Sequence, residues 1–214
     1  MRYLIVCGGK IDKEFGLNEI KTDGIDAIIA ADSGMDFLYE NGVTPDIIVG
    51  DFDSATTNAL EYFERKGQTE IRRLNPIKDD TDTEYAIRLA ISEGARSIVV
   101  LGATGSRIDH VLGNISLLGI GLESGTDICI IDTNNRIRMA DKPVTIEKSA
   151  QYGRFVSLIA LTDDNEVSLK GFKYPVTDYS FDRFTSLGIS NEIVDDQAVV
   201  DIHRGKFIII ESKD

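Results

Sequence analysis

Aspartates standing directly behind apolar runs are the residues of this chain best placed to do chemistry. The run Asp46-Ile47-Ile48-Val49-Gly50 leads straight into Asp51-Phe52-Asp53-Ser54. Side chains at i and i+2 of an extended segment point the same way, so Asp51 and Asp53 leave the strand end as a pair. In an open parallel sheet that end is where ligands bind. Two carboxylates this close repel unless one is protonated or a cation sits between them. Mg²⁺ suits such a pair, because it takes oxygen ligands and keeps several waters. Capping of the next helix is the alternative use. Ser54 already serves as an N-cap, so a double acid is surplus to that role.

A second acidic cluster is Lys78-Asp79-Asp80-Thr81-Asp82-Thr83-Glu84. Thr81 and Glu84 have capping-box spacing and start a helix. Asp82 then sits in the first turn, where the helix dipole favours an anion by about 0.3–1 kcal/mol. That accounts for one acid and leaves Asp79 just outside the helix, so Asp79 and Asp82, three apart, can face one site together. A third candidate is the loop Gly102-Ala103-Thr104-Gly105-Ser106-Arg107-Ile108-Asp109-His110. Its glycines let backbone N–H groups approach an anion at a helix start. Arg107 adds a planar fork for phosphate oxygens. The spacing is neither a Walker A loop nor GxGxxG and is weak by itself. His110 alone reads more readily as a helix-start residue than as a catalyst, and Asn114 shares its face. Ala31-Asp32-Ser33-Gly34 ends another apolar run; Asp32 there is an N-cap or a ribose ligand, the cap being the commoner case. Together these four strand ends describe a pocket for a polyphosphate and a divalent metal.

The elements that must position these residues follow from hydrophobic period. Strands are expected at 2–8, 26–31, 46–50, 70–74, 97–101 and 127–131. Helices are expected at 33–41, 55–66, 81–93 and 109–122. In the third helix Tyr85, Ala86, Leu89 and Ala90 form the apolar stripe. Alternating strands and helices give an α/β domain with a mainly parallel sheet covered on both faces. Beyond residue 140 period-2 alternation takes over. Residues 162–165 look like a turn, and 199–203 and 206–211 flank a hairpin link at Arg204-Gly205. An antiparallel β-sandwich is expected there, giving two domains, 1–140 and 141–214.

Composition excludes several classes of protein. Of 214 residues, 42% are hydrophobic and 28% charged, a globular balance that rules out disorder and a disulfide scaffold. A net charge of -13 repels phosphate backbones and anionic bilayers, so neither nucleic acid nor membrane is an expected partner. Cys7 and Cys129 lie in apolar runs and read as buried reduced thiols. The apolar start is too short for a secretory signal, which points to the cytoplasm.

Taken together, ADSG (31–34), PDIIVGDFDS (45–54), DDTDTE (79–84), GATGSRIDHVLGN (102–114) and GISNE (188–192) closely resemble the thiamine pyrophosphokinase family, in order and across both domains. The resemblance implies transfer of the diphosphate of ATP to the hydroxyl of thiamine, releasing AMP. It implies an α/β domain plus a β-sandwich, in a homodimer whose active site is shared between subunits. By position it implies Asp51, Asp53, Asp79 and Asp82 around Mg²⁺ and the diphosphate. Asp32, Ser33, Thr104, Arg107, Asp109 and His110 would lie on the ATP side, and Ser190, Asn191 and Glu192 would meet thiamine. Some members stack thiamine on a tryptophan, and this chain has none. Tyr179, Phe181 and Phe184 are the aromatic candidates, although core packing is the commoner role for each. Three rival readings are a phosphatase of the haloacid-dehalogenase type with Asp51 as nucleophile, a pyrophosphokinase for another alcohol such as a hydroxymethylpterin, and a non-catalytic nucleotide or thiamine sensor. The GATGSRIDH loop argues against the first, GISNE favours thiamine over the second, and the four acids speak against the third.

Overall fold

The computed structural model describes residues 1–52, 57–75 and 80–214. They form two compact units, Met1–Thr133 and Asn134–Asp214. Asp53 and Asp79 fall outside the described residues, as does Ser54.

The first unit alternates strands and helices: β1 (Arg2–Val6), α1 (Lys13–Ile20), β2 (Ala27–Ala31), α2 (Gly34–Glu40), β3 (Ile47–Gly50), α3 (Thr57–Lys66), β4 (Glu70–Arg73), α4 (Asp82–Ser92), β5 (Ser97–Leu101), α5 (Ile108–Ser124) and β6 (Asp127–Ile131). Its six strands are all parallel, in the order β6-β5-β1-β2-β3-β4. Strand order reverses between β1 and β5, which opens a crevice at their carboxyl ends where ligands of such sheets bind. The strands are short apolar runs because helices cover them: Leu4, Val6, Ala30, Ile48, Val99 and Leu101 share one core with Met35, Leu38 and Phe63.

One element here was not expected. Helix α1 is short and has a glycine in its middle, so it lacks a readable stripe. It forms because the Asp12 carboxylate accepts from the Phe15 N–H at 2.9 Å. In α4 the buried stripe is Ala86, Ile87, Leu89 and Ala90. Tyr85, expected in it, is only half-buried.

The second unit contains β7 (Asn135–Ala140), β8 (Val144–Glu147), β9 (Phe155–Ala160), β10 (Glu166–Lys170), β11 (Val176–Ser180), β12 (Asn191–Glu192), β13 (Gln197–Arg204) and β14 (Phe207–Ser212). Antiparallel pairings order them as β12-β9-β14-β7 and β11-β10-β13-β8. Val156, Leu158, Phe207 and Ile209 from the first set pack with Val167, Leu169, Ala198 and Val200 from the second, which is the core of a sandwich. The division precedes the expected 140/141 boundary because β7 pairs with β14 along its whole length. Arg204-Gly205 is not a hairpin link. It carries the chain from β13 in one sheet to β14 in the other, with Gly205 at φ 90°. A Cβ there would lie 2.3 Å from Asn165 Oδ1, so the corner admits only glycine.

Buried Glu211 accepts two bonds from Arg136 (2.8 and 2.6 Å) and one from the Tyr152 N–H (2.9 Å), and pairs with Arg138. Burial pushes its carboxyl up, but the arginines and the N–H outweigh that and hold it below its usual range.

Candidate active site at the carboxyl edge of the parallel sheet

Three carboxylates converge at this edge. One oxygen each from Asp32, Asp51 and Asp82 lies within 4.8 Å of the others, and all three residues are half-buried. Asp32 follows β2 at φ 48°, its N–H donating to Val49 O at 2.8 Å. That bond ties it to the end of β3, where Asp51 emerges. Phe52, next in line, is also left-handed, at φ 63°, and its ring lies under the Arg73 guanidinium at 5.3 Å. Asp82 opens α4 because the Thr81 hydroxyl accepts from the Glu84 N–H at 3.2 Å. The other half of the capping box is used differently, since Glu84 holds Arg88 at 2.7 Å one turn on.

Ser33, not Asp32, occupies the N-cap position of α2, and its side chain makes no capping bond. The commoner reading of Asp32 therefore fails: its left-handed backbone instead brings the carboxylate alongside Asp51 and Asp82.

Beside the cluster is a cavity of about 690 Å³. Asp32, Ser33 and Asp82 line it, together with Gly8 and Gly9 beyond β1 and Gly105, Arg107, Asp109 and His110 beyond β5. Five glycines are among the residues that line it: Gly8, Gly9, Gly102, Gly105 and Gly113. Gly102 has φ 68°, and a Cβ on it would sit 2.3 Å from Cys7 O. The Gly9 N–H donates to Gly102 O at 2.9 Å, tying the two loops together. Arg107 forks onto Asp109 (2.7 and 3.3 Å) at the exposed start of α5. That guanidinium holds the Asp109 carboxyl down at about 2. Cys7 faces the cavity 3.4 Å from the Thr83 hydroxyl, and burial pushes its thiol up to about 11, so it stays protonated. It is a wall, not a nucleophile.

Thr104 is the exception among the residues expected on the ATP side. It is not among the cavity-lining residues; its hydroxyl donates to Asp132 Oδ2 at 2.7 Å. Asp132 was missed in the sequence, although it stands behind the apolar run of β6 as Asp32 and Asp51 stand behind theirs. Asn114 anchors the same loop, its Nδ2 donating to Ala103 O at 2.8 Å.

The family model described as "Thiamin pyrophosphokinase, catalytic domain" matches residues 21–130, and "Thiamin pyrophosphokinase, vitamin B1 binding domain" matches 143–207. The chain belongs to the thiamine pyrophosphokinase family. A protein named thiamine pyrophosphokinase from Bacillus subtilis strain 168 is 34% identical over 188 residues, 87% of this chain and 87% of its own. The crystal structure of thiamine pyrophosphokinase from Bacillus subtilis superposes with a TM-score of 0.89 at 32% identity, covering 100% of both chains. That of thiamin pyrophosphokinase from Geobacillus thermodenitrificans gives 0.88 at 29%, covering 100% of this chain and 98% of that one. The phosphatase reading of Asp51 is set aside by this membership.

Ser190, Asn191 and Glu192 lie in the second unit. Ser190 is left-handed at φ 61° and its N–H donates to Ser157 Oγ at 3.0 Å. Buried Asn191 spends its amide on the backbone of Tyr174, at 3.1 and 2.9 Å. Glu192 is held by Lys173 (2.8 Å) and Arg154 (2.9 Å), which keep its carboxyl below the usual range. Of the aromatic candidates, Phe181 is core, against Phe207. Tyr179 packs its ring edge-on against Phe181 while staying partly exposed, and Phe184 is exposed, contrary to the packing role expected of it. Among the described residues, no helix is long and apolar enough to cross a membrane.

Proposed function

We propose that this chain moves the β,γ-diphosphoryl unit of ATP onto the hydroxyethyl oxygen of thiamine, giving thiamine diphosphate and AMP. The observation that carries the reading is the convergence of Asp32, Asp51 and Asp82 beside a cavity lined in part by glycines, in a chain of this family. The new bond joins the thiamine oxygen to the β-phosphorus. The bond that breaks joins that phosphorus to the oxygen AMP retains, and the alcohol proton passes to one of the aspartates. Phosphoryl chemistry of this kind needs positioning and charge neutralisation more than a strong base.

Three carboxylate oxygens within 4.8 Å of one another are hard donors close enough to share one Mg²⁺, directly or through its waters, so the residue types fit that ion. When bound, Mg²⁺ would neutralise charge on the ATP oxygens. Asp32, Asp51 and Asp82 would hold it, with Asp53 and Asp79 as further candidates. Backbone N–H groups of the 102–107 loop and the start of α5 would take phosphate oxygens. Arg107 would leave Asp109 to stabilise charge on the transferring group or on AMP. Ser33, Asp109 and His110 would shape the nucleotide side, and Ser190 and Glu192 would meet thiamine, with Asn191 fixing that segment's backbone. We propose further that the enzyme is cytoplasmic and works as a homodimer, each site drawing on both subunits; a monomer by light scattering at assay concentration would refute the shared site.

The test is incubation with ATP, Mg²⁺ and thiamine, resolved by chromatography against a control without thiamine. Thiamine-dependent AMP with thiamine diphosphate is the expected result. AMP formed only with another alcohol would overturn the acceptor, and no AMP with any acceptor would overturn the reaction.

A further inference from the structure

Three consecutive residues at the root of the 102–107 loop are each tied to a different element. Gly102 O takes the Gly9 N–H, Ala103 O takes the Asn114 amide, and the Thr104 hydroxyl gives its proton to Asp132. Past Thr104 the loop is exposed, and Gly105, Ser106 and Arg107 line the cavity. Thr104 is thus the last anchored residue before the segment that faces the ligand. At 2.7 Å this is a well-formed hydroxyl hydrogen bond to a carboxyl oxygen. Asp132 does not line the cavity. It borders a separate hollow of about 30 Å³ with Lys10 and Asp12, which shares only Gly102 with the cavity.

We infer that Asp132 is a positioning residue for nucleotide binding: through the Thr104 hydroxyl it sets where the 105–107 tip meets the phosphates of ATP. The inference rests on the reading of the cavity as the ATP site. Asp132 touches no substrate. Its charge is directed at Thr104, so it orients the loop without adding an anion to the phosphate site. An uncharged side chain with an acceptor oxygen in the same place does the same work.

Full-length variants are titrated with MgATP in the absence of thiamine, and their steady-state constants are then measured. Asp132→Ala raises the Kd and KM for ATP about tenfold and leaves the KM for thiamine within about twofold, since only the loop tip is displaced. Asp132→Asn retains an acceptor for the Thr104 hydroxyl and stays within about twofold of wild type. Thr104→Val matches Asp132→Ala, Thr104→Ser matches wild type, and the double variant is no worse than either single one. ATP constants unchanged in Asp132→Ala would overturn the inference, as would equal damage in Asp132→Asn or both substrates' KM values rising together. If Asp132→Ala fails to fold, the Val and Ser variants at Thr104 decide in its place. Wild-type protein that does not bind MgATP would sink the ATP reading itself, an outcome visible before any variant is compared.

Discussion

Replacing Asp82 by asparagine should lower turnover while leaving the ligand-free protein as stable as before, or slightly more so. The sign follows from the geometry. At 4.8 Å two unit charges repel by about 0.9 kcal/mol in bulk water and about 3.5 kcal/mol at an effective dielectric of about 20. Asp82 faces two such neighbours. All three residues are half-buried and solvent-screened, so the lower figure is the better guide, and the relief is about 1–2 kcal/mol. Against it stands the anion's favourable place in the first turn of α4, worth about 0.3–1 kcal/mol. On these two terms the net gain lies between about zero and about 1.7 kcal/mol, at most about 3–7 °C in Tm for a chain of this size. Turnover moves the other way, because loss of one charged group aimed at the transition-state charge costs about a hundredfold or more. The assay pairs AMP release at saturating ATP, Mg²⁺ and thiamine with thermal melts by circular dichroism. Turnover within about threefold of wild type would remove Asp82 from the mechanism. A fall in Tm by many degrees would show that Asp82 serves the fold, and the reasoning from repulsion would be wrong.

Arg107→Lys should raise the KM for ATP about tenfold, because an ammonium lacks the planar fork that meets two phosphate oxygens at once; unchanged ATP kinetics would refute the clamp. Glu211→Gln should destabilise the second unit by about 3–5 kcal/mol in urea melts, since it leaves Arg136 and Arg138 facing a neutral partner in a buried place. The folded Glu211 carboxyl is held below its ordinary value, so its contribution is full above about pH 4.5 and is lost as pH falls through the folded value. Wild type should therefore lose stability on acidification that the glutamine variant has already lost. Parallel pH profiles would show that the cluster is not the source.

What was legible in the sequence was the parallel sheet and the placement of acids at its edge. An acid directly behind an apolar run of a sheet buried on both faces stands at the edge where ligands bind, and Asp32 and Asp51 both do. What was not legible depended on backbone conformation or on partners distant in sequence. Asp32 read as a cap because an aspartate before Ser-Gly usually is one; only its φ of 48° turns it toward Asp51. Thr104 read as a ligand residue because it sits in a glycine-bearing loop, yet its hydroxyl goes to Asp132, just past the end of the next strand over. The Arg204-Gly205 link read as a hairpin because period-2 runs flank it, and period alone does not say that two runs belong to different sheets.

The two left-handed residues flanking the acids explain why such an arrangement can persist. Asp32 at φ 48° and Phe52 at φ 63° each cost about 1–3 kcal/mol relative to relaxed backbone. Aspartate tolerates that region better than an aromatic residue does, so Phe52 is the sharper outlier. Repulsion among three carboxylates adds to the cost. Neighbouring contacts hold the ends in place: the Asp32 N–H on Val49 O, the Leu74 N–H on Gly50 O, and Arg73 over the Phe52 ring. None of these requires an acid at 32 or 51. A cation between the acids would offset their mutual repulsion.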